Sequence, residues 1–468
     1  MNITIVAVPF IDTTQPIMGP ALLTAILKEH GINAIGIDLN VDIVNKIENH
    51  PNKQKIIDFF FSQYTHPDTI DDLVELVNHC STKILDTNPD ILALSLLTYG
   101  CQIFTRWLVT DIKQKRPNIK IVIGGPGIKN FVTDKNGEFY QQLISLKLVD
   151  DYIFGDAEES FVEYIKGNLN YPGINSDKWK PIPDLNVVPY PDYSNYDFSV
   201  YKDPVIPLSD SRGCIKNCEF CDVIEHWTKY QYRYSDNVFA EMLYQIEKHG
   251  ITAFAMRNSL SNGNMKEFKK LLVMIADYNE NKPKEKQISW EGFFIVRPPQ
   301  FHPADFWELL GRTNAKILLG VESVIYHVRK GMDKTCEDSD IDYHLEMGQK
   351  HNVKLQLLMI VAYPTETLAD YEYTKQWFRD RKQYANNSVV ALNLSLASIL
   401  PGTELDRRSD DYGIKKGNLP SIWINQNLNI TPKQRVKYLL ELQQVCKECG
   451  FFFYENQEQT VEHTRNEE

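Results

Sequence analysis

Two α/β units in series are what the sequence predicts: a parallel sheet of Rossmann or flavodoxin type, then a partial (β/α)6 barrel and a short C-terminal helical region. Three observations predict it. Short runs rich in Ile, Val and Leu alternate with helical stretches over residues 1–165. The alternation stops over 166–205, where Pro, Asp, Asn and Tyr dominate, and it resumes from 206 to about 410. A chain of 468 residues is too long for one ordinary core.

In the first unit the strand candidates are "ITIVAVPF", "NAIGIDLN", "ILALSLLT", "IKIVIGG" and "DDYIFGD". Near-continuous apolar strands separated by helices suit a parallel sheet covered on both faces, with ligands at the C-terminal strand ends. The helical "GPALLTAILKEHG" is closed by Gly31, and the stretch Val41 to Asp90 reads as inserted helices. Residues 166–205 read as a linker draped over a surface. In the second unit "AFAMRN", "SWEGFFIV", "AKILLGVES", "KLQLLMIVAYP" and "VVALNLSLASILP" read as strands. "NVFAEMLYQIEKHG" and "DIDYHLEMGQKHN" read as helices between them. Roughly six βα units fit, too few for a closed eight-stranded barrel. Residues 411–468 hold one clear helix, "TPKQRVKYLLELQQVCKECG", and a polar tail expected to be disordered.

A hydrophobic fraction of 43% and a charged fraction of 24% are those of a soluble globular protein. No apolar run approaches the ~20 residues of a membrane span. "MNITIVAVPF" lacks a basic flank and reads as a strand rather than a secretory leader, so a cytoplasmic protein is expected. The net charge of −12, with no basic stripe, argues against a nucleic-acid partner. Eight cysteines in a chain of this length, with no leader, point to a reducing compartment. Clustered thiols there are metal ligands or redox groups more often than bridges.

One cluster stands out: "SRGCIKNCEFCDV" places Cys214, Cys218 and Cys221 together. A closed zinc site wants four ligands, commonly as two separated pairs, and His226 is the one nearby candidate for a fourth. A 4Fe–4S cluster has four irons, so three cysteines leave one iron open for substrate or cofactor. Iron–sulfur is the favoured reading, with zinc and chance as alternatives.

A CxxxCxxC motif just after the first barrel strand, with Phe220 before the third cysteine, resembles the radical S-adenosylmethionine (SAM) enzymes. "LLGVES" (318–323), "LMIVAYPTET" (358–367) and "LPGTEL" (400–405) are similar to that family's fourth-, fifth- and sixth-strand endings. The resemblance implies that Cys214, Cys218 and Cys221 hold the cluster and that its open iron chelates SAM. One electron then cleaves SAM to methionine and a 5′-deoxyadenosyl radical, which takes a hydrogen atom from substrate. It also implies SAM contacts from Phe220, Asn258, Arg297, Glu322, Ser323, Val361 and Tyr363. Arg297 has two readings, a partner for the SAM carboxylate or a salt bridge to Glu322. Arg257 and Asn258 stand where acidic residues are common in the family, and Ala362 and Thr365 where glycines are usual.

The first unit resembles the cobalamin-binding domain found ahead of such barrels. "SLL" (95–97) and "GGPG" (124–127) match the family's SxL and GG pair, and "FGDAEESF" (154–161) its closing turn, with Asp156 and Ala157 as departures. The implied cobalamin contacts are Asn40, Ser95, Leu97, Thr98, Gly124, Gly125, Gly127 and Glu158. Asn40, in "DLNVDI", stands where a cobalt-ligating histidine is found in related domains. The glycines would let backbone approach a bulky ligand.

These resemblances imply a cobalamin-using radical SAM enzyme, most often a methyltransferase acting on an unactivated carbon. The substrate would be a small molecule or peptide, and the electron donor a flavodoxin or ferredoxin. The runner-up is radical cyclisation, rearrangement or oxidation without methyl transfer, with or without cobalamin. A transfer-RNA methylthiotransferase would need a second three-cysteine cluster in the first unit, where only Cys80 and Cys101 occur. A non-catalytic iron–sulfur or zinc module is the fourth reading. Cys446 and Cys449 share one helical face and read as packing rather than as a redox pair.

Overall fold

The structure is a computed structural model describing residues 1–10, 15–62, 65–129, 137–227, 229–417 and 420–453. The polar tail expected beyond 453 lies outside the described residues. The chain divides into two compact units, Met1–Leu208 and Ser209–Glu468.

The first unit carries five parallel strands, β1 (Asn2–Ala7), β2 (Asn33–Asp38), β3 (Ile91–Ser95), β4 (Lys120–Gly124) and β5 (Asp151–Ile153), in the order β2-β1-β3-β4-β5. This is the flavodoxin-type order, in which the connections change direction on either side of β1. β3 and β4 are buried almost throughout because helices cover both faces. On one face Leu22, Ile26 and Leu27 of helix Met18–Glu29 pack with Phe161 and Val162 of helix Ala157–Ile165. The other face carries helices Lys53–Ser62, Ile70–Asp86 and Gln102–Lys115, which contribute Phe59, Phe60, Leu76, Ile84, Phe104 and Leu108. The long stretch between β2 and β3 is therefore helical and part of the core.

Residues 166–208 belong to this unit and are fastened by their aromatic and acidic side chains. Tyr201 Oη donates to Asp38 Oδ2 at 2.9 Å, and Lys28 Nζ to Asp192 at 2.6 Å. Gly155, at φ +72, lies under the Trp179 ring, where a Cβ would come within 2.1 Å of it.

The second unit begins where β6 (Ile206–Leu208) ends. A short antiparallel pair, β7 (Ser211–Arg212) and β8 (Gln231–Tyr232), brackets the cysteine loop. Then follow β9 (Ala253–Met256), β10 (Ser289–Ile295), β11 (Ala315–Glu322), β12 (Lys354–Val361) and β13 (Val389–Leu396), parallel to one another. The sheet order is β13-β12-β11-β10-β9-β6, and its two ends do not pair among the described residues. This is the open six-stranded barrel the alternation predicts. A small hairpin, β14 (Ile414–Lys416) and β15 (Trp423–Asn425), precedes helix Pro432–Glu448. That helix starts on a Thr431–Gln434 capping box with Pro432 in its first turn, and stacks Tyr438 on Tyr371 with centroids 4.4 Å apart. No helix among the described residues is long and apolar enough to cross a membrane.

A buried histidine pair ties the barrel's loops to its outer layer. The Asn262 amide is fixed by Ile295, whose N–H it accepts at 3.2 Å and whose carbonyl it bonds at 3.0 Å. Its Nδ2 then donates to His302 Nε2 at 3.2 Å, so His302 Nδ1 donates to His344 Nε2 at 3.0 Å. His344 Nδ1 in turn donates to the Asp340 carbonyl at 2.7 Å. Both rings must be neutral for this chain of bonds, and burial holds His302 well below the ordinary histidine value and His344 down to about 4. A depressed histidine contributes stability that is complete above its unfolded value, about 6.5, and lost as pH falls below it. Buried carboxyls with raised values, such as Glu366, act in the opposite sense, so the test is differential. His344→Gln is expected to destabilise at pH 7.5, and its gap from the native chain to narrow by about 1.4 kcal/mol per pH unit between pH 6 and 5. Urea unfolding of both chains at each pH, followed by their tryptophan fluorescence, measures it.

Candidate metal centre and its rim

The three cysteines lie on the loop that leaves β7. Gly213 opens it at φ +74, and a Cβ there would stand 2.6 Å from the Lys229 carbonyl. The Cys221 N–H bonds the Cys218 carbonyl at 3.0 Å, and the Lys216 N–H points at Cys214 Sγ at 3.4 Å. All three thiols are half-buried and free. Burial pushes Cys218 up to about 12, with Lys334 pulling it down and the Cys221 and Cys214 thiols pushing it up. Burial likewise pushes Cys221 up to about 11, against the Val223 amide, and Cys214 adds to the rise. The three sulfurs are thus close enough to feel one another. Among the described residues no three His, Cys, Asp or Glu side chains converge as they would on a single metal ion. His226 pairs with Asp222 at 3.3 Å, holding that carboxyl below its usual range.

Glu219, inside the motif, fixes this loop. It is buried, its N–H donates to the Met332 carbonyl at 3.1 Å, and its own carbonyl accepts the Leu405 N–H at 2.8 Å. Its carboxylate accepts Tyr363 Oη at 2.7 Å on one oxygen, and Arg408 Nη1 and Tyr412 Oη, both at 2.7 Å, on the other. Tyr363 is therefore committed to Glu219, and burial with this bond raises its phenol far above the ordinary value.

The C-terminal strand ends form the rim. Glu322, last in β11, sits at φ +63, beyond a register shift between Gly320 and Glu322 in the pairing with β12. The expected pairing of Arg297 with Glu322 is not what forms. Lys334 takes Glu322 at 2.7 Å and bonds the Gly320 carbonyl at 3.0 Å. Burial alone pulls the Lys334 ammonium down, but Glu322 and the Cys218 thiol hold it above its ordinary value. Gly320 makes room for the pair, since a Cβ there would lie 2.7 Å from Glu322 Oε1 and 2.9 Å from Lys334 Nζ. Arg297 instead bonds the Gly263 carbonyl at 3.4 Å and lies over Phe301. Burial lowers it, with Tyr230 and Cys214 opposing, which places it toward the cysteine loop.

Ser323 is buried, its hydroxyl accepting the Ile325 N–H at 3.1 Å. Val361 is buried too, its carbonyl accepting the Ala397 N–H at 3.1 Å. After it Ala362 stands at φ +56, the region that explains why glycine is usual there. Glu366 holds the turn, its carboxylate accepting the Ala362 and Tyr363 amides, and burial pushes it up to about 7. Asn258 donates to Asp210 and, at 2.9 Å, to Ser261, while its buried Oδ1 has no partner. Burial pushes Asp210 up to about 7. Phe220 is half-buried beside Cys221. Sequence reasoning missed Glu219, Lys334, Asp210 and Glu366. The one local signal was an acidic residue inside a cysteine motif.

In the first unit the two quoted turns interlock. Leu96 N–H donates to the Gly124 carbonyl and Gly127 N–H to the Leu96 carbonyl, both at 2.9 Å. A Cβ on Gly125 would lie 2.4 Å from the Leu96 carbonyl oxygen, and one on Gly127 2.3 Å from that of Thr98. Backbone against backbone thus requires these glycines. Leu97 and Gly125 are exposed, and Ser95, Thr98 and Gly124 half-buried, at the ends of β3 and β4. Asn40 is wholly buried and accepts the Phe10 N–H at 3.1 Å, so it serves the β1 turn. Glu158 is buried in the first turn of its helix.

No family model matches the chain. A curated protein of Methanocaldococcus jannaschii, provisionally named a methylthiotransferase, is 24% identical over 284 residues, which is 57% of this chain and 60% of that protein. The chain thus matches about three fifths of that relative's length. Among solved structures, TsrM from Kitasatospora setae, a radical SAM methyltransferase with cobalamin and a 4Fe–4S cluster bound, superposes with a TM-score of 0.66 at 14% identity. The match covers 94% of this chain and 88% of that one. TsrM with tryptophan substrate and a SAM analogue gives 0.67 at 14% identity, covering 95% and 89%. OxsB, a cobalamin-dependent SAM radical enzyme with aqua-cobalamin and SAM bound, gives 0.62 at 14%, covering 88% and 56%. The chain therefore has the fold of the cobalamin-dependent radical SAM enzymes, a Rossmann-like unit followed by a radical SAM barrel.

The side chains of Lys334 and Glu322 are only 10% and 13% exposed, so removing one partner leaves a poorly solvated charge. Lys334→Met is expected to cost about 3 kcal/mol in urea unfolding, and Lys334→Met combined with Glu322→Gln distinctly less.

Proposed function

We propose that the chain is a radical SAM enzyme. Cys214, Cys218 and Cys221 would hold a 4Fe–4S cluster whose fourth iron binds SAM. The observation that carries this reading is the set of three free, half-buried, mutually interacting thiols beside the C-terminal rim of an open parallel barrel. When bound, the cluster would supply the electron that cleaves SAM, itself reduced by a flavodoxin or ferredoxin. Lys334 and Arg297 would offset the negative charge of the ligated thiolates. Arg297, with no carboxylate partner among the described residues, is the candidate for the SAM carboxylate, and the unpartnered Asn258 Oδ1 could accept a donor from SAM.

Cobalamin is the second cofactor in this reading. The interlocked turns leave Leu97, Gly125 and Pro126 exposed at the C-terminal strand ends, an apolar surface suited to a large ligand. Methyl transfer to an unactivated carbon of a small molecule or peptide is the activity proposed. A methylthiotransferase's second cluster finds no support, because Cys80 and Cys101 are core residues whose thiols burial pushes up.

Anaerobic reconstitution is expected to give about four irons per chain and retained cobalamin. With reductant and SAM the protein should form 5′-deoxyadenosine, and Cys214→Ala, Cys218→Ala or Cys221→Ala should abolish it. Methyl-deuterated SAM should label the product. Iron and deoxyadenosine without label would leave radical chemistry and remove methyl transfer.

A further inference from the structure

We infer that Glu219 is a positioning residue that holds the cysteine loop in its metal-binding shape, acting through Tyr363, Arg408 and Tyr412. Its relevance to iron rests on the cluster reading above. Five hydrogen bonds meet at this one residue, two through its backbone and three through its carboxylate. They reach three separate segments: the turn at Met332, the end of β12 at Tyr363, and residues 405–412 after the last barrel strand. Glu219 lies between Cys218 and Cys221, so anchoring it anchors the backbone that carries both sulfurs. The strands that bracket the loop are only two residues long each, so the loop of residues 213–230 depends on contacts such as these to hold its shape.

The choice of carboxylate has a physical reason. Three donors converge on two oxygens, and an ionised carboxylate is the side chain that accepts on every side. An amide would present an N–H to at least one of those donors. Arg408 Nη1 neutralises the charge at 2.7 Å, which lets the group stay buried. The two tyrosines complete its hydrogen bonding, so each carboxylate oxygen has at least one donor. The segment that follows the barrel therefore contributes directly to the metal centre's support, through Leu405, Arg408 and Tyr412.

The test uses the full chain in two forms. In the iron-free protein, iodoacetamide labelling resolved by mass spectrometry gives a rate for each cysteine, with Cys449, also half-buried but outside this network, as internal control. Glu219→Gln should accelerate labelling of Cys218 and Cys221 by about tenfold, and Glu219→Ala by more, with Cys449 unchanged. Unchanged rates at Cys218 and Cys221 overturn the proposal. If labelling rises at every cysteine, the variant is unfolded, and Tyr363→Phe and Tyr412→Phe decide instead. Each deletes one donor and should raise only the two loop thiols, while unchanged rates there again overturn it. In the iron-loaded protein, Glu219→Gln should hasten iron release to a chelator and move the cluster's midpoint potential positive, since a nearby negative charge is lost. A native chain that takes up no iron refutes the cluster reading, while the labelling rates still decide the role of Glu219.

Discussion

Parallel strand pairing governs the barrel unit. When β9 through β13 all run the same way, each helix must carry the chain back, and every strand ends on the same edge. Residues far apart in the chain then meet there: Asn258 after β9, Arg297 after β10, Glu322 and Ser323 at the end of β11, and Tyr363 after β12. The cysteine loop belongs to the same neighbourhood, as Lys334 and Arg297 sense its thiols. Two of these strand ends are bent into left-handed conformations at Glu322 and Ala362, which turns the chain sharply off the sheet. Each bend has a local support, the Lys334 pair for one and the Glu366 carboxylate for the other.

Several of the carboxylates that this acidic chain buries are matched by cations, whereas Glu366 has only backbone amides and is raised to about 7. Lys334 answers Glu322, Arg408 answers Glu219, and Arg233 answers Glu241 while its charge favours the ionised form of Asp210. A lone buried carboxylate would protonate or unfold its surroundings. Paired, these groups act as directional fixtures, because a carboxylate with several donors allows few arrangements. The cations have a second use in the proposed reading: Lys334 lies near Cys218 and Arg297 near Cys214, where they would offset the charge of ligated thiolates.

The turns of the first unit show how the same residues can carry two reasons. The sequence led to glycines that let backbone approach a bulky ligand. In the structure the close approach is between the turns themselves, with the carbonyls of Leu96 and Thr98 occupying the space a side chain would need. The two accounts are compatible, since Gly125 is exposed at the strand ends as well as pressed against the Leu96 carbonyl. Asn40 is different. It is wholly buried, and its Oδ1 accepts the Phe10 amide.

Strand and helix identity, the two α/β units and the cysteine spacing were all legible from local pattern, because periodicity and short-range spacing are properties of neighbours in the chain. The partial barrel followed from counting those elements. Sequence alone also nominated Glu322, Arg297 and Tyr363, through their positions at strand ends. It left Arg297 two readings, SAM carboxylate or Glu322, and the fold gives Glu322 to Lys334 and leaves Arg297 toward Cys214. Glu219 binds donors 144, 189 and 193 residues away, and His302 meets His344 across 42. No periodicity encodes such partners. They are decided only when sheet order and register bring the strand ends together, and burial then makes each unmatched polar group too costly to leave.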